Sequence, residues 1–259
     1  MSMDAICARN ISHHVDGFSL KDINLSIPKG KISSIVGPNG SGKSTFLKLI
    51  SQLLPCSCGE ICVHGKPVDC YKKKEFARTV SMLPQSKQSL PNVTVKELIG
   101  YGRSPYKGVF QQRPSAEDEA TVTWAMEISG TAKHQDRLFH ALSGGEQQNV
   151  RLAMALAQKT DILLLDEPTT YLDIAHQIDL MELVQKINQE EGITIVMVLH
   201  DLQQAAAYSD YIIALKEGCV TETGAPKEVL TSGFLKKVYN IRASIRFEED
   251  YPIIIPIRN

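Results

Sequence analysis

In the run Gly37, Pro38, Asn39, Gly40, Ser41, Gly42, Lys43, Ser44 and Thr45, the eight residues from Gly37 to Ser44 fit the pattern G-x-x-x-x-G-K-[ST]. The types suit a nucleotide's phosphates. Gly40 and Gly42 let successive backbone N–H groups curl around a β-phosphate, Lys43 neutralises β- and γ-oxygens, and the Ser44 hydroxyl is a ligand for Mg²⁺. A second chemical group ends the run "ILLLDEP": Asp166 is suited to hold the magnesium through water, and Glu167 to orient and deprotonate an attacking water. Adjacent acids at a strand end can also be a plain polar cap. The phosphate loop elsewhere in the chain favours the hydrolytic reading, with ATP as substrate. A third stretch, "LSGGEQQ", is also built to receive an anion. Ser143 and Glu146 form a capping box at a helix start, where the positive end of the helix dipole lies. A helix cap accounts for Ser143 and Glu146. It leaves Gly144 and Gly145 unexplained, because consecutive glycines weaken a helix and serve close approach. Two further polar residues close strand-like runs: Gln85 after "VSMLP", within reach of a metal and a nucleophilic water, and His200 after "ITIVMVL", within reach of a γ-phosphate. Spacing alone does not separate those roles from structural ones.

The elements needed to present these groups are legible around them. Short alternating runs, "ICARNIS", "FSLKDINLSI" and "KISSIV", predict strands, the last feeding the glycine loop and then a helix. "DILLLDEP" and "GITIVMVLH" are continuous apolar runs of the kind buried on both faces of a parallel sheet. Between them, "IAHQIDLMELVQKINQE" sets Leu180, Leu183, Val184 and Ile187 on one helical face. The middle of the chain changes character: Ser115 and Asp118 open a helix, and the segment runs mostly helical to the Ser143 cap. "PKEVLTSGFLKKVYN" predicts a last helix. The expected fold class is α/β: a P-loop NTPase core with a mostly parallel sheet, an N-terminal antiparallel β subdomain and an inserted helical subdomain. The predicted division is a single domain over 1–259, with core and β subdomain at about 1–85 and 155–225, helical subdomain at 86–154, and C-terminal helix and tail at 226–259.

Bulk properties exclude several classes. A chain of 259 residues is long enough to bury a sizeable core. With 28 basic against 29 acidic residues, the net charge of −1 advertises no nucleic-acid or anionic-membrane partner. The apolar runs fall short of the roughly 20 residues a spanning helix needs, and the opening "MSMDAICARN" lacks a signal-peptide core, so a soluble, cytoplasmic chain is expected. Cys56, Cys58, Cys62 and Cys70 crowd one segment, but their spacing is not the paired C-x2-C of a zinc ribbon; incidental thiols in a reducing compartment are expected.

The phosphate loop, "PQ", "LSGGEQQNVRLAMALAQ", "ILLLDEPTTYLD" and "VLHD" stand in the order and spacing of an ABC transporter ATPase subunit, and the resemblance covers essentially the whole chain. Many folds carry a phosphate loop; "LSGGE" ahead of a helix and before "LLLDEP" is the discriminating feature. The resemblance implies a head-to-tail homodimer in which Ser143 and Gly145 donate to the γ-phosphate of ATP held by the other copy. It also implies that Gln85 is a metal ligand and a lid sensing the membrane partner, Asp173 an interface contact, and His200 the γ-phosphate switch. His14 falls where the family stacks an aromatic ring on adenine, and imidazole offers less area than tyrosine.

The segment "TVKELIGYGRSPY" resembles that of ATPases serving iron–siderophore, haem and cobalamin importers, although Gly102, Arg103 and Pro105 also fit a local turn with a surface arginine. "DEPTTYLDIAHQIDLMELV" and the "IP" ending point to the same subgroup, especially its siderophore members. The partners then implied are two membrane permease subunits and, indirectly, an extracytoplasmic substrate-binding protein, with the chain peripheral on the cytoplasmic face. ATPases for zinc, manganese or molybdate import, and a soluble ATPase of iron–sulfur assembly, are the alternatives.

Overall fold

In the computed structural model, residues 4–15, 17–85, 92–108, 113–249 and 251–257 are described. The chain forms two compact units, one of Met1–Cys70 with Gly192–Asn259, the other of Tyr71–Glu191.

The first unit begins with β1 (Asp4–Val15) and β2 (Phe18–Pro28), an antiparallel pair in which Ile11 faces Ile23 and Ala8 faces Leu25. Ile6, Ala8, Ile11, Leu20, Ile23 and Ile27 are buried, and the two-residue alternation is reset by register shifts between Ala8 and Ile11 and between Ile11 and His13. The chain then enters β3 (Ile32–Val36), all five residues buried, and passes through the glycine loop into α1 (Lys43–Ile50). β4 (Cys58–Val63) and β5 (Lys66–Pro67) complete an antiparallel sheet of order β2-β1-β4-β5, the expected N-terminal β subdomain.

The second unit holds α2 (Lys73–Thr79), β6 (Val80–Leu83), α3 (Val95–Gly100), α4 (Ala116–Ile128), α5 (Gly144–Leu156), β7 (Ile162–Asp166) and α6 (Ile174–Glu191). β6 and β7 pair in parallel, Leu83 opposite Leu165. Both predicted capping boxes form: Ser115 Oγ accepts from the Asp118 amide at 3.1 Å, and the Ser143 amide donates to Glu146 at 2.8 Å. On α6 the buried residues are Leu180, Met181, Val184 and Ile187. Met181 replaces the expected Leu183, because the inward face is centred one residue away from the stripe read in the sequence. The expected start of the helical subdomain, at residue 86, lies outside the described residues. The contact division places β6, β7 and α6 with the helices, since α5 packs on β6.

Back in the first unit come β8 (Thr194–Val198), α7 (Leu202–Tyr208), β9 (Tyr211–Lys216) and β10 (Cys219–Gly224). β8 and β9 flank β3 in parallel, while β10 turns back antiparallel on β9.

The predicted last helix is broken. α8 (Pro226–Val229) stops, the Thr231 hydroxyl caps a new start by accepting from the Phe234 amide at 3.1 Å, and α9 (Ser232–Phe234) passes into a π-turn over Leu235–Tyr239. A threonine that caps and a glycine at 233 restart the helix where periodicity alone would continue it. The tail is likewise a hairpin, β11 (Ala243–Glu248) against β12 (Tyr251–Pro256), with the "IP" end opposite Ala243. Among the described residues, no helix is long and apolar enough to cross a membrane.

Candidate active site

In the first unit, the loop after β3 turns on glycines where the backbone demands them. Gly37 has φ +148° and Gly42, the α1 N-cap, has φ +100°, in the left-handed region that side chains avoid. A Cβ on Gly37 would collide with the Leu215 carbonyl oxygen, and one on Gly42 would fall 2.7 Å from Phe18 Cζ. Lys43 is 5% exposed, and its Nζ donates to the carbonyls of Gly37 at 2.8 Å and Pro38 at 3.0 Å. The loop thus grips its own ammonium inside a ring of backbone, and Ser41 is also buried. Ser44 and Thr45 follow in the first turn of α1; Asn39 and Gly40 form the exposed outer turn. Parallel register sets His200 beside this loop's strand: Ile35 lies opposite Val198, so the ends of β3 and β8 are level. His200 is exposed, immediately before Asp201, which caps α7. His14 is exposed, with Nδ1 2.7 Å from Ser19 Oγ. Sequence reading passed over Phe18, whose ring edge would meet a Cβ on Gly42 of the phosphate loop.

In the second unit, register does the corresponding work for the acids. Leu83 opposite Leu165 makes Gln85 level with Glu167, and Gln85 Nε2 donates to Glu167 Oε2. Thr170 Oγ1 donates to the same carboxylate oxygen at 3.1 Å. Glu167 itself has φ +51°, an uncommon conformation for a side chain of this size. Asp166 is 4% exposed at the end of β7. A cavity of about 410 Å³ is lined by Gln85, Asp166, Glu167 and Thr170 together with Gly144, Gln148 and Arg151 of α5. Burial pushes the Arg151 guanidinium below its ordinary range. Gln148 Nε2 donates to the Pro168 carbonyl at 2.8 Å, tying α5 to the turn after Glu167. Thr170, Gln148 and Arg151 were not singled out in the sequence; the signal was their proximity to motifs, which only the turn geometry converts into contact.

Ser143 and Glu146 satisfy each other, and the Glu146 carboxyl is held below its usual range chiefly by the Ser143 amide. The two glycines differ. Gly144 is exposed, and a Cβ there meets nothing within 4 Å. Gly145 is buried, and a Cβ there would lie 2.7 Å from His176 Cγ and 2.8 Å from its Nε2, with Cδ2 nearer still. His176 in turn binds Asp173, which stands at the start of α6.

A family model described as ABC transporter matches residues 20–170. The chain belongs to the ABC transporter family. Its relatives include the iron(3+)-hydroxamate import ATP-binding protein FhuC of Bacillus subtilis, 46% identical over 89% of this chain and 85% of that protein. The petrobactin import ATP-binding protein FpuC of Bacillus anthracis is 44% identical over 95% and 90%, and the ferric enterobactin transport ATP-binding protein FepC of Escherichia coli 41% over 92% and 88%. Among solved structures, an inward-facing metal-chelate-type ABC transporter superposes with a TM-score of 0.85 at 25% identity, covering 99% of each chain. A dimeric bacterial ABC transporter cassette superposes with a TM-score of 0.73 at 29% identity, covering 85% of this chain and 98% of that one. The family and the α/β P-loop fold expected from the motifs are therefore those of this ABC cassette, and ATP binding is the family's property.

The alternative reading of Gly102, Arg103 and Pro105 as a local turn with a surface arginine needs correction. Arg103 is no surface arginine: it is 2% exposed, its Nε donates to Asp118 Oδ1 at 2.7 Å, and its guanidinium stacks 3.8 Å from the Tyr106 ring centroid. Gly102 is small because a Cβ would strike the Met154 carbonyl of α5. The "GR" of this segment is internal packing of the helical region. The cysteines are all free, burial raises Cys56 and Cys62 above the ordinary thiol range, and no group of three His, Cys, Asp or Glu placed for a metal occurs among the described residues.

Proposed function

We propose that the protein is the ATP-hydrolysing, energy-coupling subunit of an importer for iron(III)–siderophore complexes or related metal chelates. The observation that carries the chemistry is Glu167, turned by its backbone out of β7 and gripped by Gln85 and Thr170 next to buried Asp166. Glu167 orients a water and takes its proton as the water oxygen attacks the γ-phosphorus; the β–γ bridge breaks and ADP leaves with the electron pair. The backbone N–H groups from Asn39 to Thr45 and the ammonium of Lys43 hold the phosphates, and His200 contacts the γ-phosphate. In the first unit Ser44, and in the second Asp166 and Gln85, carry the hydroxyl, carboxylate and amide oxygens that Mg²⁺ takes as hard donors. A bound ion of that kind would supply charge neutralisation at the β- and γ-oxygens.

Two copies work head to tail, each lending Ser143, Gly144, Gly145 and Glu146 to the other's nucleotide. The surface around Asp173 supports this: Tyr171, Ile174 and Ile178 are 73%, 76% and 44% exposed, an apolar cluster of the sort that partners cover. The chelate class rests on the identity to relatives named for hydroxamate, petrobactin and enterobactin. On this reading the pair sits at the cytoplasmic face on two permease subunits, fed by an extracytoplasmic binding protein. Glu167→Gln should keep ATP binding, lose about 10²- to 10⁴-fold in turnover and accumulate as an ATP-bound dimer in gel filtration. Full turnover by a Glu167→Gln monomer would overturn the assignment. Copurification of a multi-span membrane protein, and ATP-driven uptake of an iron(III) hydroxamate by the reconstituted complex, test the importer reading.

A further inference from the structure

Asp173 is exposed, with 67% of its side chain accessible, yet the shared-site reading asks it to meet a partner copy in one orientation. His176 supplies the restraint. The His176 amide donates to Asp173 Oδ1 at 2.9 Å, and its ring Nδ1 lies 2.9 Å from both Oδ1 and Oδ2. The Asp173 carboxyl is accordingly held below the ordinary aspartate range, first by the His176 amide and then by the ring. A helix N-cap with a histidine three residues on would explain this much by itself. It does not explain where the ring sits. The imidazole occupies the volume that any side chain at position 145 would need, so the buried signature glycine is fitted to the histidine that grips Asp173. Relieving a Cβ at 145 requires the ring to swing away, and swinging it away releases Asp173.

We propose that His176 is a positioning residue that locks Asp173 and the first turn of α5 into one element, so that the two groups a protomer offers its partner move together. The inference rests on the shared-site reading above and deepens it. Gly145 is small because of a contact inside its own protomer, whereas a Cβ on Gly144 would meet nothing within it.

The test is a double-substitution cycle on the full chain, with ATPase kinetics as one readout and the Asp173 carboxyl titration by carbon NMR as the other. His176→Ala is expected to lower kcat about five- to tenfold with KM for ATP within about twofold, the pattern of a group that acts after binding. His176→Asn, whose side-chain amide can take the place of Nδ1, should restore at least about half of the turnover. Gly145→Ala should fall at least as far as His176→Ala, but adding it to His176→Ala should change kcat by less than about twofold, the non-additivity of contacting residues. The Asp173 titration should move up in both single variants. Losses that multiply in the double variant, or a titration unmoved by His176→Ala, would overturn the inference. If Glu167→Gln is inactive while those losses multiply, the positioning role alone is lost. If Glu167→Gln turns over normally, it is the hydrolytic reading that fails.

Discussion

The phosphate loop and the signature turn are both helix N-termini opened by glycine, yet they are finished differently. At the loop, the N-cap is Gly42 with no side-chain cap, and a buried cation, Lys43, is fastened to the loop's own carbonyls. At the signature, the cap is complete: Ser143 and Glu146 occupy each other's hydrogen-bonding groups. A helix end that has no side-chain cap and holds an ammonium is a receptor in its own right. A self-capped end uses its cap internally, and of its two glycines only Gly144 has room for a Cβ. The contrast separates a site built to bind alone from one that serves when something is presented to it.

That contrast can be broken by experiment. Lys43→Ala should have the largest effect, on the order of a thousandfold in turnover with weakened ATP binding, far beyond His14→Ala measured by the same titration. A larger loss for His14→Ala would return the adenine contact to that residue. The body that carries the signature turn is vulnerable at its buried ion pair. Arg103→Ala should destabilise the protein by about 3–5 kcal/mol in denaturant unfolding, because it strands the Asp118 carboxylate beside α5. The exposed Lys31–Asp210 pair, by contrast, should be worth under about 1 kcal/mol.

Acid reads the same pair. Burial alone would raise the Asp118 carboxyl, but the Arg103 hydrogen bond and the Ser115 amide and hydroxyl outweigh it and bring it from 3.8 down to about 2. A depressed carboxylate contributes stability above its unfolded pKa and loses it as pH falls through the folded one. About 2.5 kcal/mol should therefore vanish between roughly pH 4 and pH 2, a slope that Arg103→Ala flattens. Stability effects at the signature turn are small. Ser143→Ala should cost about 1 kcal/mol. Gly144→Ala should leave the unfolding midpoint nearly unchanged, since its Cβ meets nothing, so any loss of turnover in Gly144→Ala reports the partner's nucleotide and not the fold.

Local chemistry made much of this molecule readable. The continuous apolar runs of β7 and β8 read as doubly covered strands, the Ser115 and Ser143 boxes as helix starts, and the glycine loop between strand and helix as an anion site. Those features depend on residues within a few positions of each other, and their physics is complete at that range. The rest depended on distant partners. Parallel register set Gln85 level with Glu167, and packing turned Arg103 inward onto Asp118. A histidine from the start of α6 filled the space beside Gly145. Spacing along a chain cannot state which of two glycines faces a neighbour and which faces solvent, because that is a property of volume occupied by another segment. The types of the groups were written in the sequence; which of them touch was decided only when strands aligned and side chains competed for the same space.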